Sequence, residues 1–312
     1  MGYEKRDWEV VDYELWETGE CGLIPPASRL VRGPCPGKLQ GKQFVTCLGA
    51  AQTFGVLCRN PFPALLQQAI GRPVVNLGFG GAGPSYFLND PEMINLVNRS
   101  SLAVIQVMSA RSTSNSLFES TGNDFVVRRS DGHKMAAEEF FVRLLKQGQS
   151  IGPFQPKRFV PRIMAIIGQQ KAKQLVRECR SSYLDEYAEL LDRIKVPKVL
   201  LWISKRAPDY QERYATIGEL FAEFPQLVNR GMVERLRAQC DAYVECVTSR
   251  GSPQKLFSRF TGEPVNIRHS DARPDLPSTP LASDGYYPSP EMHEDAAAAL
   301  IPVCRALLGE SH

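Results

Sequence analysis

Short apolar runs and stretches of helical periodicity alternate along most of the chain. The apolar runs of strand length are QFVTCLG (43–49), PVVNLGFGG (73–81), LAVIQVMS (102–109) and KVLLWIS (198–204). The stretches with apolar residues at helical spacing include FPALLQQAIG (62–71), SSYLDEYAELLDRI (181–194) and EMHEDAAAALIPVCRALLG (291–309). Continuously apolar strands are typical of a sheet covered by helices on both faces. The pattern therefore predicts an α/β fold, a three-layer α/β/α arrangement around a doubly wound parallel sheet.

Two parts of the chain depart from this alternation. Residues 1–40 are rich in Gly and Pro, so we interpret them as an N-terminal arm over the main domain. Within the arm, VVDYELWE (10–17) predicts a short edge element. Residues 41–312 are interpreted as one domain. Between about 120 and 180 no strand pattern is evident, and the periodicity of segments such as EEFFVRLLKQ (138–147) predicts a helical insertion beside the site-bearing edge of the sheet.

Composition narrows the class of protein. The 312 residues carry a net charge of +3, which is too small to indicate a nucleic-acid-binding protein. No apolar run approaches the roughly 20 residues that a membrane-spanning helix needs. The polar N-terminus does not resemble a secretory signal, and the eight scattered Cys form no CxxC pair. We therefore expect a cytoplasmic protein without disulfides or a metal site.

Two neighbouring segments concentrate basic residues. They are QPKRFVPR (155–162) and QQKAKQLVRECR (169–180). Both are compatible with the solvated face of a helix. We favour that interpretation, and the alternative is a surface that meets an acidic polymer or an anionic donor.

Four loops are expected to meet at one crevice. Three of them follow predicted strands, namely GAAQTFG (49–55), NLGFGGAGP (76–84) and MSARSTSN (108–115), and the fourth is DGYYPSPEMHEDAA (284–297) near the C-terminus. In an open parallel sheet, the loops at the carboxyl ends of the strands form the ligand crevice. These segments therefore contain the candidate site residues.

The four loops resemble the sequence blocks of the SGNH, or GDSL-like, hydrolase superfamily. That superfamily places its nucleophile in a Gly-Asp-Ser-x-Thr turn, and here Gly49-Ala50-Ala51-Gln52-Thr53 occupies that place. Gly81 matches its oxyanion-hole glycine, and Arg111 falls where its third block carries Asn. Asp284 and Tyr287 fall on the Asp and His of its last block. The resemblance implies an SGNH- or flavodoxin-like fold.

The full chain also resembles an uncharacterised bacterial family. Members of that family share an AAQTFG-type turn, a QVMS-type strand end and a YPSPEMHEDAA-type ending, and all three motifs are present here. This second resemblance covers nearly the whole chain and implies no activity.

The differences from the SGNH pattern remove its chemistry. Ala51 stands at the nucleophile position, and a methyl group cannot attack a carbonyl. Tyr287 stands at the position of the catalytic His, and a phenol with an ordinary pKa near 10 is a poor base at neutral pH. Of the triad only Asp284 remains, so the resemblance carries over no Ser-His-Asp hydrolysis. His293, on the closing helix, is expected to be a packing or surface residue.

Arg111 is the most informative of these replacements. A guanidinium suits a standing anion, which it can hold through two parallel hydrogen bonds. Gly80, Gly81 and Gly83 would let backbone amides approach such an anion closely, and the helix that includes Gln52 and Thr53 would add its positive N-terminal end. The alternative is that Arg111 pairs with Asp284 or another acid and only braces the loops.

Two further polar residues have open roles. Ser109 belongs to a Ser-rich loop and is either a relocated nucleophile or part of the cap of a following helix. Gln52 either orients a substrate hydroxyl or binds the backbone of its own turn. NLGFGGAGP is neither a dinucleotide fingerprint nor a Walker A loop, so we expect no cofactor.

These features lead to a transferase hypothesis. A small anionic ligand, bearing a sulfo, phospho or nucleotide-linked group, would bind at Arg111 and the Gly80–Gly83 loop. Asp284 would accept the proton of an acceptor hydroxyl, and Tyr287 would donate a proton or orient the acceptor. A carbohydrate acceptor follows from the SGNH resemblance, since many such proteins modify glycans. Two alternatives are a non-catalytic carbohydrate- or ligand-binding module and a hydrolase with a relocated nucleophile.

Overall fold

The computed structural model describes residues 5–21, 30–147, 160–209, 219, 221, 223–265 and 283–310. Residues 22–29 of the arm and 148–159 of the predicted insertion, which include most of QPKRFVPR, lie outside these ranges.

The strands and helices alternate along the chain. The strands are β1 (Leu15–Glu17), β2 (Leu30–Arg32), β3 (Val45–Gly49), β4 (Val74–Gly78), β5 (Leu102–Gln106), β6 (Phe118–Ser120), β7 (Phe125–Arg128), β8 (Lys134–Ala136), β9 (Lys198–Ser204), β10 (Ala242–Val247), β11 (Gln254–Lys255) and β12 (Ser283–Asp284). The helices are α1 (Lys5–Val10), α2 (Ala51–Phe54), α3 (Phe62–Ile70), α4 (Pro84–Leu88), α5 (Pro91–Arg99), α6 (Ala137–Gln147), α7 (Val160–Arg193), α8 (Arg230–Arg237) and α9 (Pro290–Leu308). A short 3-10 helix spans Thr18–Cys21.

Within the described residues, seven strands form the central sheet in the order β1-β2-β4-β3-β5-β9-β10. The five strands from β4 to β10 in that order are parallel to one another. β2 pairs with β4, and β1 with β2, in antiparallel fashion. Part of the VVDYELWE segment thus forms the edge strand that the sequence predicts.

Helices cover both faces of the sheet. On one face, residues of α4, α5, α7 and α8 pack with inward side chains such as Leu48, Leu200 and Trp202. On the other face, α3 and α9 pack against residues that include Val45 and Leu201. Successive strand residues therefore enter opposite layers, as the period of two in a strand requires. The observed architecture confirms the predicted three-layer α/β fold class.

The chain between 118 and 136 adds three short strands to the insertion, for which the sequence predicts only helices. β6, β7 and β8 form a small antiparallel sheet there, followed by α6 and, after residues outside the description, by α7. Phe118 and Val126 of this sheet are fully buried, and Phe118 packs edge-on against Phe140 of α6. Strands of three or four residues are too short to show a clear period of two, which is why the pattern missed them.

The arm is fixed to the main domain by Arg32. Its guanidinium lies 4.8 Å from the ring centroid of Tyr13 and 5.6 Å from that of Phe54 in α2. It also donates hydrogen bonds to the carbonyl oxygens of Cys58 and Arg59, at 3.1 and 3.0 Å. These contacts connect the edge strand β2 to the turn that holds α2.

The end of β3 packs against α2 so closely that position 49 requires glycine. A Cβ atom at Gly49 would lie 2.1 Å from Thr53 Oγ1 and 2.3 Å from Gln106 Oε1. We expect Gly49→Ala to reduce the free energy of unfolding by about 1–3 kcal/mol or more, measured by urea denaturation. Gly41→Ala is the control, because no atom lies within 4 Å of a Cβ there. Equal stability of the two variants would contradict this packing.

Candidate functional site

A crevice of about 680 Å³ lies at the carboxyl ends of the central parallel strands. Segments from the loops after β3, β4 and β5 line it together with the segment after β12, as the sequence predicts. Its lining residues are Asp7, Ala50, Ala51, Gln52, Val56, Gly80, Gly81, Ala82, Ser109, Arg111, Asp124, Phe125, Glu138, Phe224, Tyr286 and Tyr287. Ala51 and Tyr287 also share one apolar cluster, so the aligned nucleophile and base positions do come together.

The turn after β3 is held by a glutamine of the neighbouring strand. Gln106 Oε1 accepts hydrogen bonds from the Ala50 amide at 3.0 Å and from Thr53 Oγ1 at 2.6 Å. Thr53 is completely buried and does not line the crevice, which corrects its prediction as a substrate-binding residue. Its hydroxyl stabilises the turn, so it is unavailable to a ligand.

Gln52 faces the crevice from the same short helix. It is only 2% exposed, and its Oε1 atom has no hydrogen-bond partner among the described residues. A buried amide oxygen without a partner costs free energy unless a ligand or water satisfies it. Gln52 therefore remains a candidate for contacting a ligand hydroxyl.

The glycine loop divides into two parts. Gly80 and Gly81 line the crevice. Gly81 has a φ of +73°, and a Cβ atom there would lie 2.4 Å from Asp124 Oδ2, so both the backbone and the close approach require glycine. Gly83 does not line the crevice, because its amide donates to the carbonyl oxygen of Gly122 at 3.0 Å. The prediction that Gly83 contacts a ligand is corrected accordingly.

Arg111 points into the crevice but already has acidic partners. Its Nη2 donates to Asp124 Oδ1, and its Nη1 lies 3.6 Å from Glu138 Oε1. Nη1 also donates to the Tyr286 hydroxyl at 3.0 Å. These contacts agree with the alternative in which Arg111 pairs with an acid, and that acid is Asp124 beside the small sheet and not Asp284.

The charge of Arg111 is permanent. Burial acts to lower the pKa of its guanidinium, but the Tyr286 hydroxyl and the carboxylates of Asp124 and Glu138 act more strongly in the opposite direction. Its pKa is therefore held above the ordinary arginine range, and the side chain cannot serve as a base.

Asp284 holds a turn instead of facing the crevice. Its Oδ1 accepts hydrogen bonds from the amides of Tyr286 and Tyr287, at 3.1 and 2.8 Å. It is absent from the crevice lining, so its predicted role as a catalytic acceptor is corrected. The turn presents two tyrosines, and both rings line the crevice with their centroids 5.0 Å apart. The fourth block thus contributes phenols rather than a carboxylate.

Ser109 has no base beside it. Its hydroxyl oxygen accepts a hydrogen bond from the Arg111 amide at 3.2 Å. None of the lining residues in the described ranges is His or Cys. The described lining therefore offers Ser109 no imidazole of the kind that activates a serine in a Ser-His pair.

His293 is a buried packing residue. Its Nδ1 accepts a hydrogen bond from the Phe62 amide at 3.2 Å, and its ring stacks on Phe62. Burial, with the nearby positive charge of Arg32, lowers its pKa from 6.5 to about 3. It is completely buried and absent from the crevice, in agreement with its predicted packing role.

Several crevice residues were not predicted. Asp124 and Glu138 supply the carboxylates, and Phe125 and Tyr286 supply exposed rings, being 46% and 40% exposed. Asp124, Phe125 and Glu138 come from the region interpreted as a helical insertion. The sequence analysis left open that Arg111 pairs with an acid. That alternative was the one signal that could have led to Asp124.

Metal and membrane features are absent from the part of the chain that the structure describes. No group of three or more His, Cys, Asp or Glu there is arranged to hold a metal ion. None of its helices combines the length and apolar character needed to cross a bilayer.

The chain belongs to the family described as Domain of unknown function (DUF6473), which it matches over residues 1–141 and 154–308. No curated protein matches it.

Solved structures with a similar arrangement have low identity to this chain. A carbohydrate acetylesterase family member from Sinorhizobium meliloti is 12% identical, with 86% of this chain and 99% of that chain covered and a TM-score of 0.37. A catalytic mutant of an acetylxylan esterase from Geobacillus stearothermophilus is 13% identical, with coverages of 88% and 97% and a TM-score of 0.35. A carbohydrate esterase family 2 enzyme with a carbohydrate binding domain, from Corynascus thermopiles (Myceliophthora fergusii), is 11% identical, with coverages of 91% and 71% and a TM-score of 0.38. These TM-scores are too low to carry an argument about the chemistry of this chain.

The bracing role of Arg111 predicts a measurable coupling with Asp124. In a double-mutant cycle of Arg111→Ala and Asp124→Ala, we expect a coupling free energy of roughly 1–3 kcal/mol, because the guanidinium is buried. The matched control is the pair Arg128 and Asp131, whose side chains are 30% and 46% exposed, and which should give less than about 1 kcal/mol. A coupling no larger than that of the control would contradict the brace.

His293 predicts a loss of stability in acid. In the unfolded chain His293 is protonated below its ordinary pKa of 6.5. In the folded chain it stays neutral until the pH falls to about 3. The free energy of unfolding should therefore fall as pH drops through this window, by up to roughly 1.4 kcal/mol per unit. His293→Asn keeps an acceptor for the Phe62 amide but does not titrate, so its slope in urea denaturation should be shallower. Identical slopes would contradict the buried, neutral imidazole.

Proposed function

We propose that the crevice recognises a neutral, polyhydroxylated ligand of the carbohydrate class and performs no acyl transfer. The observation that carries this proposal is the make-up of the lining. Exposed aromatic rings stand beside carboxylates and an unpartnered amide, the seat of the nucleophile is a methyl group, and the one lining cation of the described residues is already paired.

The aromatic and acidic groups suit such a ligand. The C–H faces of a sugar pack on exposed rings such as Phe125 and Tyr286, while its hydroxyls donate to carboxylate and amide oxygens. Asp124 and Glu138 have side chains that are 42% and 53% exposed, so part of each carboxylate remains accessible beside Arg111. The Lys134 ammonium lies 5.1 Å from the ring centroid of Phe125, which adds a donor near this ring.

The charge balance disfavours an anionic donor in the crevice. Arg111 contributes one positive charge, and the lining also contains three carboxyl side chains, those of Asp7, Asp124 and Glu138. An oxyanion at Arg111 would have to displace Asp124 and would then lie close to two carboxylates, which repel it. For this reason we propose the binding module among the alternatives and do not extend the proposal to a sulfo- or phosphotransferase.

The described lining of the crevice lacks the pair of nucleophile and imidazole base that acyl transfer in a Ser-His-Asp enzyme requires. Ala51 supplies no nucleophile, and Tyr287 replaces the imidazole that would activate one. Ser109, the one serine of the described lining, has no histidine beside it there. A serine-directed fluorophosphonate should therefore fail to label the native protein, and labelling mapped to Ser109 would revive the hydrolase alternative.

Isothermal titration with a panel of neutral oligosaccharides tests the proposal. At least one should bind saturably, and Phe125→Ala should weaken it about fivefold to tenfold by removing a packing surface. Phe260→Ala is the matched control, since Phe260 is 66% exposed and lies outside the crevice lining. Absence of binding across the panel, or equal losses in both variants, would contradict a carbohydrate site at this crevice.

A further inference from the structure

A second pocket, of about 490 Å³, lies beside the small sheet, and residues of β7, β8, α6 and α7 line it. Its apolar floor consists of Leu117, Met135 and Phe140, and α6 and α7 contribute Arg143 and Lys171 to its wall. The volume falls within the range of pockets that hold small molecules. It shares no lining residue with the crevice among the described residues.

The geometry of β7 separates the two sites. Phe125 lines the crevice, and Arg128, three residues later on the same strand, lines the second pocket. Residues an odd number apart on a strand point to opposite faces of the sheet, and three residues span about 10 Å. The side chains of Phe125 and Arg128 therefore point to different faces of the small sheet.

Four cations from three parts of the chain converge on the second pocket. They are Arg128 and Arg129 at the end of β7, Arg143 on α6 and Lys171 on α7, and no carboxylate belongs to the described lining. For the basic stretch containing Lys171, the sequence analysis favours a solvated face and keeps an anion-binding surface as the alternative. The convergence with three arginines from other parts of the chain favours the anion-binding alternative.

The acidic partners of these cations lie outside the lining and are exposed. Arg128 pairs with Asp131, Arg143 pairs with Glu139 at 2.5 Å, and Arg129 Nη1 lies 3.7 Å from Glu119 Oε2. Exposed pairs of this kind contribute little free energy, so an incoming oxyanion can share or replace them at small cost. Lys171 has no ion pair with any described residue. The pocket thus keeps an excess of positive charge.

We propose that this pocket binds an organic phosphate or sulfate, with the oxyanion held by the arginines and Lys171 and an attached planar or apolar group seated on the floor. Guanidinium groups match phosphate and sulfate oxygens through paired hydrogen bonds. Leu117 is 39% exposed, which leaves apolar surface for the rest of such a molecule. The site is independent of the proposed carbohydrate crevice.

Isothermal titration with ADP and with inorganic phosphate tests the proposal on the full chain. ADP should bind saturably and more tightly than phosphate, because its ring system contacts the floor. Arg143→Ala combined with Lys171→Ala should weaken ADP binding about tenfold or more. Both residues are exposed on helices, so the variant should keep the wild-type melting temperature.

Two controls make the outcome decisive. Lys173→Ala combined with Arg235→Ala removes the same charge from helix positions that do not line the pocket, and it should change ADP affinity less than about twofold. Phe125→Ala, which alters the crevice, should also leave ADP affinity unchanged. No saturable ADP binding below about 10 mM, or an equal loss in the charge-matched control, would overturn the proposal. Either result would leave the crevice proposal intact.

Discussion

Arg111 joins three separate parts of the chain at one buried position. Its backbone belongs to the loop after β5, its Nη2 holds Asp124 at the edge of the small sheet, and its Nη1 holds Tyr286 in the segment after β12. A buried guanidinium without these partners would be costly, so the loops are constrained to stay where they are. The same contacts fix the electrostatics of the crevice, since they neutralise its only described lining cation.

The turn that follows β3 depends on a second set of buried contacts. Gln106 receives the Ala50 amide and the Thr53 hydroxyl, and Gly49 leaves the space that both need. The turn places the methyl group of Ala51 in the lining of the crevice.

The alternation of apolar and periodic segments predicted the sheet, its covering helices and the meeting of four loops, because long, regular patterns are determined by burial on both faces. It missed β6, β7 and β8, whose few residues carry no clear period and whose position depends on Phe118 packing against α6. The roles of Thr53, Gly83 and Asp284 were also not readable from motif position. Each of these residues forms a hydrogen bond within its own loop or with a neighbouring segment. Such bonds depend on distances in the folded structure, which motif position does not give.

Whether Arg111 stays paired with Asp124 determines whether the crevice binds a neutral ligand or an anionic one. A glycan and its sulfated counterpart, with the same backbone, compare these ligands directly in one binding assay. The structure predicts that the neutral glycan binds the wild-type protein at least as tightly as the sulfated form, since Asp124 occupies Arg111. Binding of the sulfated form alone, lost in Arg111→Ala, would show that the guanidinium is released to grip an anion and would contradict a crevice built for a neutral ligand.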